Sequence, residues 1–326
     1  MRDPQFDPRV DAASRRPRPM PAFGVLASML LAVAACAGVE PRIVAIGDVH
    51  GDFEATRSAL RLAGAIDERD RWIGGDLIVV QTGDQLDRGD GERAILDLFE
   101  KLRVESSEAG GAFHALLGNH ELMNARGDLR YVTEGGFADF VDVVGYDPRD
   151  SLQVWDRETA TFGPGTLADF EPYQRARMAA LMPGGPYAVQ LAQQQVILEI
   201  GDNVFVHGGV LPEHVAYGID RINDAAQAWL RGEAELPPVL SGSESPQWTR
   251  LYSSDPDSAA CGVLEEALGA LRAKRMIMGH SRQPGIASAC GERAWRIDVG
   301  MASYYGGSVE VLEIVGDSVR VITAGG

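Results

Sequence analysis

The residues best suited to chemistry stand at the ends of short apolar runs. The clearest example is the stretch Gly83–Gly89, which has the sequence Gly-Asp-Gln-Leu-Asp-Arg-Gly and follows the apolar run Leu77–Val80. Five such junctions occur, and four of the six histidines in the chain lie at them. The polar residues at these junctions are Asp48, His50, Asp84, Asn119, His120, His207 and His280. Ligands of α/β sheets gather outside the carboxyl ends of the strands, so this pattern predicts one shared site.

Carboxylate, amide and imidazole groups make up this set, and no thiolate belongs to it. Such donors suit Mn, Fe or Zn better than a soft metal. Six ligands are too many for one catalytic ion with an open position, but they suit two divalent ions that share a carboxylate. Two ions about 3.5–4 Å apart can hold a bridging hydroxide as nucleophile and clamp a phosphoryl oxygen. The six predicted metal ligands are Asp48, His50, Asp84, Asn119, His207 and His280.

Three further residues suggest how a phosphate ester would be cleaved. His120 directly follows Asn119, so it can face the site without being a ligand and could protonate the leaving oxygen. Asp87 could fix the tautomer of His120 and keep it charged. Arg88 offers a planar fork for phosphate oxygens. We therefore predict His120, Asp87 and Arg88 as catalytic residues, with Arg88 also binding substrate.

The elements that must hold these residues alternate along the chain. Apolar runs predict strands at 43–46, 77–80 and 113–117, and helical spacing of apolar residues predicts helices at 52–63 and 92–104. This order favours a layered α/β fold. Further predicted strands lie at 187–189, 196–200, 204–206, 276–278, 295–299, 308–314 and 318–322, and further predicted helices at 119–124, 167–182, 220–230 and 259–272.

As a set, the junction motifs resemble the calcineurin-like metallophosphoesterases. The Asp-Arg-Gly and Asn-His-Glu endings resemble the phosphoprotein phosphatase branch of that family. Within the branch, Gln81–Gly89 and Pro246–Arg250 are most similar to the bacterial Shewanella-like protein phosphatases. The motifs that carry the resemblance are Asp48-x-His50-Gly51, Gly83-Asp84-x-x-Asp87-Arg88-Gly89, Gly118-Asn119-His120-Glu121, His207-Gly208-Gly209 and Gly279-His280.

The resemblance implies a fold of two mixed β-sheets flanked by α-helices. It also implies His120 as the acid paired with Asp87, Arg88 on the phosphate and Arg250 as a second phosphate clamp. Residues 126–185 do not follow the family sequence, and we interpret them as an insertion that shapes the substrate cleft. The implied ligand sets are Asp48, His50 and Asp84 for one ion, and Asp84, Asn119, His207 and His280 for the other.

Three functions are compatible with this site. The first is a phosphomonoesterase that acts on phosphotyrosine, phosphoserine or phosphothreonine in proteins. The second is hydrolysis of small phosphate esters or dinucleoside polyphosphates, because related sequences with that activity share the same motifs. The third is a metal-binding envelope protein without turnover. The intact His120, Asp87 and Arg88 argue against the third function, because metal storage requires none of them.

The first 35 residues predict a secretory leader. Basic residues precede a charge-free apolar stretch, Pro21–Ala35, which is short for a membrane-spanning helix of about 20 residues. The stretch Val33–Cys36 resembles the bacterial lipoprotein box, so we expect cleavage before Cys36 and lipidation of that cysteine; a soluble cleaved form and an uncleaved anchor are the alternatives. The protein would then be exported to the periplasm or cell envelope as a single domain, residues 36–326, attached to membrane only through Cys36.

Charge excludes one class of partner. The chain has a formal net charge of −17, and removing residues 1–35, which hold five Arg and three Asp, leaves 25 basic and 44 acidic residues. The mature net charge of −19 would repel nucleic acid over the general surface. We therefore expect a phosphorylated protein, a phosphopeptide or a small phosphate ester as substrate, and no nucleic-acid partner.

Several other residues have structural explanations. An exported chain favours a disulfide between Cys261 and Cys290, the alternative being two unrelated buried thiols. We expect Asp52 to cap a helix and His114 and His214 to be structural or surface residues. Tyr304 and Tyr305 are predicted either to line the cleft or to pack in the core.

Overall fold

Strand β1 (Arg42–Ile46) shows how the chain forms its layers. Ile43 and Ala45 face one hydrophobic cluster, and Val44 and Ile46 face another. Both faces of the strand are covered, as a continuous apolar run predicts. The computed structural model describes residues 40–147, 149, 151–156 and 161–325, with the backbone alone for 151–156, 161 and 162.

The chain order of elements alternates strands and helices in its first third, as predicted. The elements are β1 (Arg42–Ile46), α1 (Phe53–Leu62), β2 (Ile78–Gln81), α2 (Glu92–Glu108), β3 (Ala112–Ala115), α3 (Asn119–Ala125), α4 (Glu134–Ala138), β4 (Ser151–Asp156), β5 (Thr161–Thr166), α5 (Arg175–Leu181), α6 (Pro186–Leu191), β6 (Ile197–Ile200), β7 (Asn203–Val206), α7 (Pro212–Tyr217), α8 (Ile219–Leu230), α9 (Ser258–Leu271), β8 (Arg275–Met278), β9 (Ala287–Ala289), β10 (Ala294–Arg296), β11 (Glu310–Val315) and β12 (Ser318–Thr323).

Two five-stranded sheets form the centre of the fold. The first has the order β12-β11-β1-β2-β3, with β1, β2 and β3 parallel and the two C-terminal strands antiparallel. The second has the order β6-β7-β8-β10-β9, with β7, β8 and β10 parallel and the edges antiparallel. Both sheets are therefore mixed.

Apolar side chains join these layers. One cluster contains residues of both sheets, among them Ile43, Phe205 and Ile277, so the sheets pack face to face. Separate clusters bury α1 and α2 against the first sheet and α8 and α9 against the second. The predicted fold of two mixed β-sheets flanked by α-helices is confirmed.

The secondary-structure predictions fail mainly in and beside the segment 126–185. The predicted strand at 187–189 is wrong: these residues lie in α6, which begins at Pro186, where the fixed φ of proline and its missing N–H suit a first helical turn. The predicted helix at 167–182 is divided into a 3₁₀ turn at Leu167–Asp169 and α5. The β4–β5 hairpin was not predicted.

Two predictions about the chain ends and cysteines have different outcomes. Cys261 and Cys290 form a disulfide, with Cα atoms 5.3 Å apart, which confirms that prediction. Residues 1–35 and Cys36 lie outside the described residues. None of the helices in the described part of the chain combines the length and apolar character needed to cross a bilayer.

Candidate active site

The predicted site residues meet where strands of both sheets end. Asp48 and His50 follow β1, Asp84 follows β2, and Asn119 opens α3 just beyond β3. His207 and His280 follow β7 and β8 of the second sheet. Parallel strands end at the same edge of a sheet, so the polar residues of each sheet lie together at that edge. We call the place where the two edges meet the rim.

Close backbone approach at this rim requires glycine. A Cβ atom on Gly279 would lie 2.2 Å from Asp48 Oδ1, and one on Gly83 would lie 2.6 Å from the backbone nitrogen of Gly118. Gly83 also has a φ of +100°, which L side chains rarely adopt. The glycines next to the acidic residues and histidines thus let the loops touch.

Asp84 lies at the centre of the site. Its Oδ2 is 3.1 Å from His207 Nε2 and 3.7 Å from the Nε2 atoms of both His50 and His120. Two groups in the described part of the chain bring potential ligand atoms within 4.8 Å of one another, and Asp84 belongs to both. The groups are His50, Asp84 and His120, and Asp84, His207 and His280.

Backbone carbonyls fix which imidazole nitrogen faces the site. Nδ1 of His50 donates to the Leu86 carbonyl at 3.0 Å, and Nδ1 of His207 donates to the Thr82 carbonyl at 2.9 Å. For His280 the donor is Nε2, which lies 3.1 Å from the Trp248 carbonyl. Carbonyl oxygens only accept hydrogen bonds, so the opposite nitrogen of each ring keeps its lone pair for a metal ion.

The donor set fits divalent cations. In that tautomer His207 Nε2 carries no hydrogen, and it lies 2.9 Å from Asn119 Oδ1 and 3.1 Å from Asp84 Oδ2. Three electron-rich atoms therefore converge on one point. Within the described residues, no Lys or Arg side chain forms an ion pair with Asp48 or Asp84, although both are buried. Buried carboxylates need a compensating charge, which divalent ions would supply.

Burial controls the protonation of the candidate ligands. It lowers the pKa of His50 to about 4 and that of His280 to about 2, so both imidazoles are neutral near pH 7. Burial and the neighbouring carboxylate of Asp298 raise the pKa of Asp48. Asp298 is a buried cleft residue that the sequence analysis missed, because it follows strand β10 without a flanking glycine–histidine signal.

Asp48 lies at this rim but belongs to neither of the two groups defined above. Its carboxylate accepts the backbone N–H of His280 at 3.1–3.2 Å, and Oδ1 is 3.9 Å from His207 Nδ1. His120 takes the third place in the group that contains His50 and Asp84. The assignment of Asp48 as ligand and His120 as acid therefore stays a prediction.

His120 and Asp87 form a buried pair. His120 Nδ1 is 2.5 Å from Asp87 Oδ2, and Asp87 Oδ1 accepts a hydrogen bond from Asn124 Nδ2 at 3.0 Å. Burial lowers the pKa of His120, but the carboxylates of Asp84 and Asp87 outweigh it and raise the pKa to about 9. With Nδ1 held by Asp87, Nε2 is the nitrogen that faces the site.

The two predicted phosphate-binding arginines, Arg88 and Arg250, enter the same cleft. The Arg88 guanidinium carbon lies 4.3 Å from the ring centroid of Tyr131 and 5.2 Å from those of Tyr304 and Tyr305. No acceptor in the described part of the chain bonds Arg88 Nε. Arg250 Nη1 donates to the His280 carbonyl at 2.9 Å. The cleft holds about 250 Å³ and is lined by both arginines, Trp248, Arg282 and the predicted site residues other than Asp48, Asp87 and His207.

Glu121, the last residue of the Gly118–Glu121 motif, has a role that the sequence did not reveal. The buried carboxylate of Glu121 accepts four backbone N–H groups, at 2.7–3.2 Å. The donors are Asp84, Gln85, Leu86 and Gly118. Glu121 therefore ties the loop after β2 to the start of α3. Its position directly after His120 in the Gly118–Glu121 motif was the sequence signal that could have indicated this role.

Comparison with known proteins identifies this arrangement. The sequence matches the calcineurin-like phosphoesterase family over residues 41–284. The chain belongs to this family. It is 41% identical to Shewanella-like protein phosphatase 2 of Arabidopsis thaliana, over 87% of this chain and 78% of the relative. It is 26% identical to Shewanella-like protein phosphatase 1 of Plasmodium berghei, over 81% of this chain and 68% of that protein.

The fold has close solved counterparts. The cold-active protein-tyrosine phosphatase of a psychrophilic Shewanella species superposes with a TM-score of 0.66, at 22% identity, over 88% of this chain and 81% of that chain. The resemblance to Shewanella-like phosphatases found in the sequence is confirmed. The protein is a dinuclear-metal phosphatase.

The residues predicted to have other roles lie outside the two candidate ligand groups. Asp52 caps α1 by accepting the Ala55 N–H at 2.9 Å. His214 accepts the N–H of Leu211, and His114 lies half-buried in β3 at a separate cavity, so neither joins the site of this phosphatase. Tyr305 lines the cleft, and Tyr304 is 61% exposed, so the core-packing alternative for Tyr304 is wrong.

Proposed function

We propose that this phosphatase removes phosphate from phosphotyrosine in polypeptides, with two divalent ions of the Mn, Fe or Zn class. The observation that carries the proposal is the aromatic and cationic lining of the small cleft, where Arg88 lies among three tyrosines. The relatives named as protein phosphatases, at up to 41% identity, support a phosphoprotein substrate.

The ions would be held by residues on both sheets. Asp48, His50 and Asp84 would bind one ion, and Asp84, Asn119, His207 and His280 the other, so the Asp84 carboxylate would be shared. Ions in these positions would supply Lewis-acid polarisation of the phosphoryl group and activation of water. The oxygen and imidazole donors suit Mn, Fe and Zn without selecting one of them.

The side chains around the ions bind the ester and move the proton. Arg88 and Arg250 point planar guanidinium groups into the cleft, where each can bind phosphoryl oxygens with two N–H donors. His120 holds a proton on Nε2 while Asp87 fixes Nδ1. That proton passes to the phenolic oxygen as the bond to phosphorus breaks, which spares the enzyme an unprotonated leaving group with a pKa near 10.

The cleft dimensions favour a side chain over a nucleotide. A volume of about 250 Å³ is smaller than the roughly 300–1,000 Å³ of sites that bury a drug-sized ligand. Such a cleft accepts a phosphate with its attached ring, while a dinucleoside polyphosphate would extend beyond it, over the surface of a chain with a formal net charge of −17. Tyr131, Trp248 and Tyr305 supply aromatic walls for a phenyl ring.

Substrate comparison with metal-loaded protein tests the proposal. Protein stripped of metal by chelation would be reloaded with Mn, Fe or Zn separately, and metal content would be measured. Each form would be assayed on p-nitrophenyl phosphate, bis-p-nitrophenyl phosphate, diadenosine tetraphosphate and two peptides that differ only in phosphotyrosine or phosphothreonine. We expect the highest kcat/KM on the phosphotyrosine peptide and no turnover by the Asp84→Asn control.

Three outcomes would contradict the proposal, the last of them in part. A preference for diadenosine tetraphosphate would support hydrolysis of small phosphate compounds instead. Turnover of neither monoester nor diester by protein with a full metal content would support a metal-binding protein without catalysis. Dominant activity on the phosphothreonine peptide would keep the protein-phosphatase class but overturn the preference for tyrosine.

We further propose that the protein is exported and anchored through a lipid on Cys36. The Cys261–Cys290 disulfide supports this location, since disulfides persist mainly in oxidising compartments. Mass spectrometry of the mature N-terminus in a bacterial host would test the proposal. We expect an acylated Cys36 in wild-type protein, and a Cys36→Ser variant that leaves the membrane fraction. A free thiol at Cys36 in mature protein would rule out lipidation.

A further inference from the structure

Helix α5, within the segment 126–185, places a charged side chain behind the predicted His120–Asp87 pair. Arg177 lies on α5, and it is fully buried. It is among the largest fully buried side chains in the described part of the chain. A buried guanidinium is costly unless its donors are satisfied, so its partners indicate what it does.

The Arg177 guanidinium makes five hydrogen bonds. Nε and Nη2 donate to Asn124 Oδ1 at 3.0 and 2.9 Å. Nη2 and Nη1 donate to the two carboxylate oxygens of Glu92, the former at 2.9 Å. Nη1 also donates to the Gly136 carbonyl at 2.8 Å. All five N–H donors of the side chain are therefore used.

Both side-chain partners of Arg177 hold Asp87. Asn124 Nδ2 donates to Asp87 Oδ1 at 3.0 Å, and it can do so only because its amide oxygen faces Arg177. Glu92 accepts the backbone N–H of Asp87, whose φ of +69° lies in the left-handed region. Arg177 thus fixes the side chain of Asp87 through one partner and its strained backbone through the other.

Asp87 passes this restraint to His120. Its Oδ1 is held by Asn124, which leaves Oδ2 to meet His120 Nδ1 at 2.5 Å. Asn124 Nδ2 also donates to the His120 carbonyl at 3.0 Å. The ring and the backbone of His120 are therefore both tied to the group that Arg177 organises.

Charge gives a second reason for this arrangement. Asp87 and Glu92 are both fully buried, and Arg177 is the residue whose cationic group lies within 4 Å of both, 3.6 Å from Asp87 Oδ1. Among the described residues, no other Lys or Arg forms an ion pair with either carboxylate. Without Arg177, two buried carboxylates would repel each other beside the catalytic histidine.

We propose that Arg177 is a positioning residue for leaving-group protonation, which acts through Asn124 and Glu92 to hold Asp87 and the ring of His120 in place. The segment 126–185 would then serve catalysis as well as cleft shape. The inference rests on the proposed function, because it assumes that His120 is the acid. Arg177 lies behind the dyad and is not among the cleft-lining residues, so its expected effect is on proton transfer and not on phosphate binding.

Leaving-group dependence provides the test. The single variant Arg177→Met leaves Glu92 unpaired in the core and can fail to fold, so the main variant is Arg177→Met/Glu92→Gln. This pair removes both charges and keeps an amide oxygen that can accept the Asp87 N–H. Arg175→Met is the matched control, since Arg175 lies on the same helix and, among the described residues, bonds only the carbonyls of Phe170 and Ala168.

Phenyl phosphate and p-nitrophenyl phosphate would be compared for each protein, with metal content and thermal unfolding measured in parallel. We expect kcat on phenyl phosphate to fall roughly 10–100-fold in the double variant, part of the 10²–10⁴-fold that a general acid contributes. The kcat on p-nitrophenyl phosphate, a better leaving group, and both KM values should stay close to those of wild type and Arg175→Met.

The contradicting outcomes are distinct. Equal losses on both substrates, or unchanged rates with a lower melting temperature, would make Arg177 a structural residue only and overturn the inference. His120→Asn measured on the same two substrates separates this from failure of the proposed function. If His120→Asn also shows no leaving-group dependence, the acid assignment itself is wrong.

Discussion

The backbone N–H of Asp84 donates a hydrogen bond to the carboxylate of Glu121 at 3.0 Å. The same carboxylate accepts the N–H groups of Gln85, Leu86 and Gly118, so it closes the turn that carries the shared candidate ligand. Asp84 has a φ of +57°, an uncommon conformation for a residue other than glycine. The position of Asp84 therefore depends on a side chain outside the predicted ligand set.

Replacing Glu121 should weaken both the fold and metal binding. In Glu121→Gln one carboxylate oxygen becomes an NH₂ group that faces backbone donors, so two of the four hydrogen bonds are lost. Hydrogen bonds to charged groups contribute about 1.5–3 kcal/mol each, and we expect the free energy of unfolding to fall by about 3 kcal/mol. Urea denaturation and metal analysis would measure the two effects.

Glu108→Gln, at the exposed end of α2, is the control for that experiment and should behave like wild type. A Glu121→Gln protein with unchanged unfolding free energy and full metal content would show that the turn holds its shape without the carboxylate.

The sequence indicated which residues meet at this rim, because they lie at glycine-flanked strand ends, where local pattern and sheet topology agree. It could not predict Arg177 or Asp298, because neither lies in such a motif and each meets its partners only after folding. Arg177 bonds Glu92 across 85 residues of sequence. The strand predicted at 187–189 failed for a related reason, since Tyr187 and Val189 have strand propensity but α6 packs Ala188 and Leu191 into the core.

Replacing His120 should reduce turnover and leave the metal ions bound. We expect His120→Asn to lower kcat by roughly 10²–10⁴-fold, the usual contribution of general acid catalysis. Asp87→Asn should have a smaller effect, because the amide oxygen can still accept the Nδ1 hydrogen but no longer stabilises a charged ring. Steady-state kinetics and metal analysis of each variant would check both expectations.

The metal content decides how that result is interpreted. His120 falls in one spatial group with His50 and Asp84, a distance relationship that a ligand would also show. If His120→Asn loses one equivalent of metal along with activity, His120 is a ligand and the acid must be sought elsewhere. His114→Asn, in a separate cavity, is the matched histidine control.

Arg250 should act on phosphate affinity more than on the chemical step. Its Nη1 is held by the His280 carbonyl and by Ser281 Oγ at 2.8 Å, which aims the remaining guanidinium donors into the cleft. Removing charge-assisted hydrogen bonds of about 1.5–3 kcal/mol in Arg250→Met should raise KM and the inhibition constant of inorganic phosphate roughly 10–100-fold. Inhibition kinetics would measure both constants, with Arg103→Met on the outer helix α2 as control. A changed kcat with unchanged phosphate inhibition would exclude a role in binding phosphate.

The Cys261–Cys290 disulfide should stabilise the fold without being needed for turnover. It joins α9 to the turn after β9 and closes a loop of 29 residues, for which the chain-entropy relation gives about 3–4 kcal/mol. His280 lies within this loop, but the Trp248 carbonyl and Asp48 hold it independently of the sulfur atoms. We therefore expect Cys261→Ser/Cys290→Ser to lose about that much unfolding free energy in urea, and to keep wild-type kcat at 25 °C.

Reducing agent should lower the stability of wild-type protein and leave the double variant unaffected. A variant as stable as oxidised wild type would mean that the unfolded chain gains little freedom when the bond is absent, and that α9 is held by its apolar contacts alone.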